Sequence, residues 1–392
     1  MDQNLNLDAV KDDFYAEKAK KFRRFKWISL IFLAVFLVFG LVAFRSEITL
    51  ENVRYLIKYI SFDGSGSMAQ QGAVIRYDSD SSNRYAVYRG DLVVVNNGGV
   101  SLFDSAGNLT MSDSFSMSNP VVASGGKYLA VYDLGGYYLK LYNSFSLLFE
   151  ISFEYIIQSV AVNDNGYFCV ATSDRSYQAA LLVYNDDFQQ VYKWLSSDKF
   201  IQDCTINSAN LVTVTALHTE NGELCSEAIG LEIGLDGAAF TVPLSDELPL
   251  AVYSQDRKSS LILTDRSFSR LEEGKKTASC SFQEDAIDLF AIGTDFSAVA
   301  QNELLVGVNY KVRIFDRALA EVGSLNLSNA ILDMKTEGEN VFLMTRNTFY
   351  RIRDGKEITE YPMDGDQTAF VLLSGNTVVL CSEKSARIMI LG

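Results

Sequence analysis

A turn signal recurs about every 40 residues along this 392-residue chain, and few folds accommodate such a period. Phe103-Asp104, Tyr142-Asn143, Tyr184-Asn185 and Leu235-Asp236 each set Asp or Asn after an apolar residue. The series continues at Glu273-Gly274, Phe315-Asp316 and Arg353-Asp354, giving spacings of 39, 42, 51, 38, 42 and 38 residues. A four-stranded propeller blade occupies ~40–45 residues. The next copy would fall just past Gly392, so the final unit is short of one strand and an earlier segment is expected to supply it.

A second series supports the count. Hairpin turns fall within the units at Asn97-Gly98, Leu134-Gly135, Asp174, Glu220-Asn221-Gly222, Asp265-Arg266, Asn309-Tyr310, Arg346-Asn347 and Glu383-Lys384. Apolar runs such as Leu92 to Val95, Tyr128 to Tyr132 and Leu304 to Val308 precede them, as two-residue hairpins require. Eight middle turns against seven outer turns describe a ring whose last blade is incomplete. Ala73 to Tyr77, apolar at alternate positions, is expected to pair with the unit at 368–391 and leave no open sheet edge at the seam. Pro120 and Pro249 fall between units, while Pro243 and Pro362 fall in outermost strands, where a missing N–H costs least. The excess of Gly (26) over Pro (4), with 45 tyrosines and phenylalanines, fits strands joined by tight turns. The expected fold is an all-β, eight-bladed β-propeller at 73–392. Seven blades are the alternative, because the unit from Arg257 to Phe282 is the most degenerate.

The N-terminal sequence sets the expected compartment. Trp27 to Phe44 is an uncharged run of 18 residues, ~27 Å as a helix against a hydrocarbon core of ~30 Å. Lys11, Lys18, Lys20, Lys21, Arg23, Arg24 and Lys26 precede it, and Arg45, Glu47 and Glu51 follow. The positive-inside rule then assigns 1–26 to the cytoplasm as a basic tail, 27–44 to a transmembrane signal anchor, and the rest to the outside of the cell membrane. A cleaved signal peptide fits less well, since the apolar run is long and no small-residue cleavage site follows. Leu50, Val53, Leu56, Ile57 and Ile60 mark an amphipathic helix with Thr49 as N-cap, and Asp63 to Gly72 reads as a Gly/Ser linker, completing a segment 45–72. Residues 1–27 hold seven of the 34 basic and five of the 49 acidic side chains, which leaves 27 and 44 beyond and a net of −17. That charge repels nucleic acid.

The order of these segments, with repeats opening at Tyr85-Ala86-Val87-Tyr88-Arg89-Gly90-Asp91, resembles an uncharacterised family of membrane-anchored, propeller-like proteins of Gram-positive, clostridia-type bacteria. The units are also similar to quinoprotein-like and YVTN-type propellers. The Trp-bearing quinoprotein signature and the Trp-Asp dipeptide of WD40 units are both missing, Trp27 and Trp194 being the only tryptophans. The resemblance therefore implies a fold and carries over no catalytic residue.

Chemistry-bearing patterns are few. Asp63-Gly64-Ser65-Gly66-Ser67 has the form of a cation-binding loop of von Willebrand A-type domains, but that fold needs a parallel sheet around it, and a linker is the better reading. Asp78, Asp80 and Asn83 fail the EF-hand pattern at its sixth and twelfth positions. Asp164, within Asn163-Asp164-Asn165-Gly166, and the sole histidine, His218, fall in hairpin turns. No nucleophile elbow, Walker loop, dinucleotide fingerprint or CxxC occurs, so no enzyme, cofactor or metal site is expected. Cys169, Cys204, Cys225, Cys280 and Cys381 are read as free thiols, with a Cys204–Cys225 bridge placed second. Tyr128, Tyr132, Tyr137, Tyr138 and Tyr142 crowd one unit; Tyr128, Tyr132, Tyr138 and Tyr142 are the candidate partner-binding residues. The functional expectation is a membrane-anchored scaffold binding a protein or cell-envelope component. A ligand- or carbohydrate-binding sensor, or a glycan-cleaving propeller using its central pore, is the alternative.

Overall fold

The computed structural model describes residues 72–392, apart from 79, 283–286, 303, 305, 306 and 375, together with 25–32, 35, 36 and 39. The chain divides into two units, Met1–Ser67 and Met68–Gly392. In the larger unit, 32 strands form eight four-stranded antiparallel sheets. Blades one to seven span 84–114, 120–152, 159–196, 200–245, 249–281, 287–327 and 331–362. Each runs in chain order from an innermost strand to an outermost one, and the innermost strands of adjacent blades pack on each other around the ring. Blade eight takes Ala369–Ser374, Thr377–Cys381 and Ser385–Ile390 from the C-terminus and its outermost strand, Val74–Arg76, from ahead of blade one.

The ring closes where the missing eighth turn requires. Val74 pairs with Arg387, Ile75 with Ala386 and Arg76 with Ser385, all antiparallel. The seven turns of the outer series join the third and fourth strands of blades one to seven; the middle series joins second to third strands. Blade eight has no outer turn because its fourth strand arrives from elsewhere in the chain.

Eight apolar clusters fill the eight blade–blade interfaces. They explain why the inner strands read as continuous apolar runs rather than alternating ones. In Asp91–Asn96, Val93 and Val95 meet Leu129 and Val131 of blade two, while Leu92 and Val94 meet Ile75, Val379 and Ile388 of blade eight. Successive side chains point to opposite faces, and here both faces are buried. Outermost strands have one face in water, so Leu147–Ser152 alternates exposed and half-buried residues.

The degenerate unit at Arg257 to Phe282 is a complete blade, which excludes seven blades. It lacks an apolar signature because Ser259, Ser260, Thr264, Ser267 and Ser269 occupy buried positions. Their hydroxyls have partners: Thr264 and Ser267 both donate to Glu247, Ser260 pairs with Thr213 across the blade-four interface, and Ser269 with Ser279. Pro120 and Pro249 open innermost strands rather than lying between units, and the first strand position tolerates a missing N–H. Pro243 and Pro362 lie in outermost strands as expected.

One part of the expected architecture is corrected. Among the described residues no helix is long and apolar enough to cross a membrane, so a transmembrane helix at 27–44 preceding the propeller is not part of the observed fold. The helical residues described there are 25–32, 35, 36 and 39. Residues 1–24, the remainder of 27–44, the helix expected at Leu50 to Ile60 and the Gly/Ser linker up to 71 lie outside the described residues.

Candidate functional site

Blade two places its tyrosines on two interfaces rather than in one patch. Tyr138, Lys140 and Tyr142 share one face of the strand Tyr138–Tyr142, the face toward blade one. Tyr142 is fully buried and donates to Asp113 Oδ2 at 2.8 Å. Burial and then the Asp113 carboxylate raise its phenol far above the ordinary range. Tyr128 and Tyr132 face blade three. Tyr132 is buried against Val160, Phe168 and Tyr184; Tyr128 donates to the Asp186 carbonyl at 3.0 Å and packs on the Phe188 ring. Of the four, Tyr138 alone is exposed, at 51%. Its neighbour Tyr137, pointing to the opposite side, is 46% exposed.

Tyr138 borders a cavity of about 360 Å³ between blades one and two. Phe115, Met117, Leu139 and Ile151 form its apolar lining, with Lys140 and Glu150 as its charged groups. Lys140 Nζ lies 2.9 Å from Asp113 Oδ2, 3.3 Å from Glu150 Oε2 and 5.8 Å from the centre of the Phe115 ring. Burial opposes the Lys140 charge, but the two carboxylates outweigh it and hold the ammonium above its ordinary range. Burial likewise works against the Asp113 charge; Lys140 and Tyr142 reverse the sign and bring the carboxyl below its ordinary range. The groove is thus amphipathic with its charges already matched, which suits an apolar or aromatic side chain better than a free ion.

The tip of the same hairpin and the segment after blade two's last strand carry further exposed apolar side chains. Leu134, Tyr137, Tyr138 and Ile156 are 37 to 51% exposed. The backbone beneath them is fixed: Gly135 N donates to Ile157 O and Ile157 N to Gly136 O, both at 2.8 Å, and Asn119 N donates to the buried Asp133 at 2.7 Å.

The central channel offers a cavity of about 400 Å³ lined by Val87, Ile292, Met334, Val371 and Leu372, with Lys335 and Glu337. Burial raises the Glu337 carboxyl, and Lys335 is held by Asp333 at 3.0 Å. No aromatic ring is among these lining residues. A cleft of about 700 Å³ beside the seam contains Asp78, Asp80 and Asn83. There Asp80 accepts from the backbone and hydroxyl of Ser82, and Asn83 donates to the Asp78 and Glu383 carbonyls, so these side chains hold a turn. All five cysteines are free, and Cys204 lies 3.6 Å from Cys169 across the interface of blades three and four rather than beside Cys225.

Fold and surface together define an eight-bladed β-propeller with an exposed tyrosine, Tyr138, bordering a groove between blades one and two. Within that class, the chain belongs to DUF5711, a family of unknown function, which matches residues 68–391. No curated protein matches it. Among solved structures it is similar to the C-terminal WD40 domain of Sif2, with a TM-score of 0.54 and 12% identity over 81% of this chain and 99% of that one. It is also similar to BamB from Moraxella catarrhalis, with a TM-score of 0.52 and 11% identity over 81% and 96%. At such identities the likeness concerns the fold alone.

Proposed function

We propose that this chain is a non-enzymatic scaffold of the cell envelope that binds a protein partner through blade two. The reading rests on the exposed Tyr138 at the amphipathic groove, with Leu134, Tyr137 and Ile156 exposed around the tip of the hairpin that carries it. Two tyrosines on a hairpin pinned by backbone hydrogen bonds lose little freedom on docking, and preorganised aromatic anchors dominate interface energetics. The net charge of −15 disfavours nucleic acid as the partner. Placement outside the cytoplasm, expected from the basic and then apolar order of the first 44 residues, belongs to the same reading. Protease treatment of intact cells tests it: the propeller is degraded if it lies outside and spared if it does not.

Crosslinking in living cells, followed by purification, tests the binding surface. The wild-type chain is expected to recover a reproducible envelope protein, and Tyr137→Ala/Tyr138→Ala is expected to lower that recovery about tenfold while leaving the melting temperature unchanged. Equal recovery by the two chains, or recovery of background proteins alone, overturns the reading.

A further inference from the structure

We infer that blade four carries a divalent-cation site of the zinc class, built from His218, Glu220 and Cys225. These residues are separate from the blade-two surface, so the inference stands or falls independently of the proposed function.

The site follows from strand register. Leu211–Glu220 and Glu223–Glu232 pair residue for residue over ten positions. The two-residue turn joining them has Asn221 at φ 51° and Gly222 at φ 84°, the all-positive geometry of a tight hairpin. In this register the chain's sole histidine is the direct cross-strand partner of Cys225, and Glu220 opposes Glu223. His218 and Glu220 are two residues apart, so all four side chains project from one face of the hairpin. One ligand atom from each of His218, Glu220 and Cys225 lies within 4.8 Å of the others.

Three observations point to a cation. An imidazole, a thiol and a carboxylate form a donor set of borderline softness, which suits Zn²⁺ and disfavours Ca²⁺ or Mg²⁺. His218 Nδ1 is buried and has no hydrogen-bond partner, so its share of the ring's polarity is unmatched. Glu220 and Glu223 face each other across the strands, an arrangement of like charges that a bound cation relieves. A tetrahedral ion with bonds of ~2.0–2.3 Å draws its donors closer than they stand here, and rotations of half-exposed side chains at a hairpin tip suffice to achieve that. On binding, the Cys225 thiol loses its proton to solvent and the sulfur lone pair forms the metal bond. The three protein ligands leave a fourth position for water or for a donor from a docked molecule.

The test titrates the purified full-length protein with Zn²⁺, then with Co²⁺ as an optical probe. The expected result is one site per chain, a thiolate-to-cobalt charge-transfer band, and affinity reduced about tenfold or more in Cys225→Ser and His218→Gln. Zn²⁺ should also slow alkylation of Cys225, read on its own peptide by mass spectrometry, in the wild type but not in His218→Gln. This second readout covers the case of a variant that folds poorly. Absence of the thiolate band, a band that persists in Cys225→Ser, or equal affinity in all chains would show that only scattered surface acids bind metal, and would overturn the site.

Discussion

Asn163, Asn207 and Asp256 each follow an innermost strand, and each holds the next turn by accepting two backbone N–H groups on one side-chain oxygen. The two asparagines also tie adjacent blades together. Asn163 Nδ2 donates to the Asn207 carbonyl and Asn207 Nδ2 to the Arg257 carbonyl, at 2.9 and 2.8 Å. Gln255 continues the belt to the Thr294 and Arg317 carbonyls of blade six. Asn207→Ala removes a buried turn cap and a blade-to-blade bond at once. Denaturant unfolding should show a loss of about 2–4 kcal/mol, from two linked hydrogen-bonding roles at ~1–2 each. Asp256 makes a pH-dependent contribution. Burial opposes its charge, but the Lys258 and Ser259 N–H groups, the Ser259 hydroxyl and the Arg317 guanidinium bring its pKa down to about 2. A folded pKa below the unfolded value of 3.8 adds stability that is full above pH ~4 and is lost as pH falls through about 2. Asp256→Asn should therefore unfold more readily than wild type at neutral pH, and the gap should close near pH 2 in urea titrations. The 44-residue spacing of Asn163 and Asn207 is the trace this belt leaves in the sequence. That trace is ambiguous, because Asn and Gly mark turns of every kind and only contacts show which ones also reach a neighbouring blade.

Among elements, the seam strand Val74–Arg76 carries more stability than its three residues suggest. Ile75 is 1% exposed and packs with Leu92, Val94, Val371, Ala386 and Ile388, so it joins blades eight and one. Gly72 N donates to Ile388 O and Ile388 N to Ala73 O, which extends the seam beyond the paired residues. Ile75→Ala should cost about 2–5 kcal/mol, the range for a truncated core side chain, whereas Val74→Ala, half exposed on the same strand, should cost under 1. Equal effects on the denaturation midpoint would show that the seam is not buried in solution. This strand is legible in the sequence, because a shortage of one outer turn and an alternating segment upstream admit only one pairing. The blade-five strands are harder to read, since buried serines with hydroxyl partners leave no apolar trace.

For the whole molecule, eight interfaces of similar apolar character bind every blade to two neighbours, so no blade is an end. The propeller should unfold in one transition by calorimetry. Deleting residues 68–77 should split or broaden that transition and promote self-association, because Ser385–Ile390 becomes an unpaired edge. An unchanged, monomeric single transition would mean that the ring does not depend on its seam. The candidate surface is only half legible: a count of tyrosines along blade two cannot tell Tyr142, buried on Asp113, from Tyr138, open to the groove. The repeat and the closing strand follow from the amino-acid order, because turn chemistry and strand period are local and recur along the chain. The choice of eight blades over seven was decided by the structure, which shows the serine-rich unit at Arg257 to Phe282 as a complete blade. Which polar and aromatic side chains face water and which bind a neighbouring blade follow from the folded ring alone, because they depend on a second blade that no local pattern encodes. That His218 meets Cys225 depends on the register of a single hairpin, which the structure fixes residue for residue.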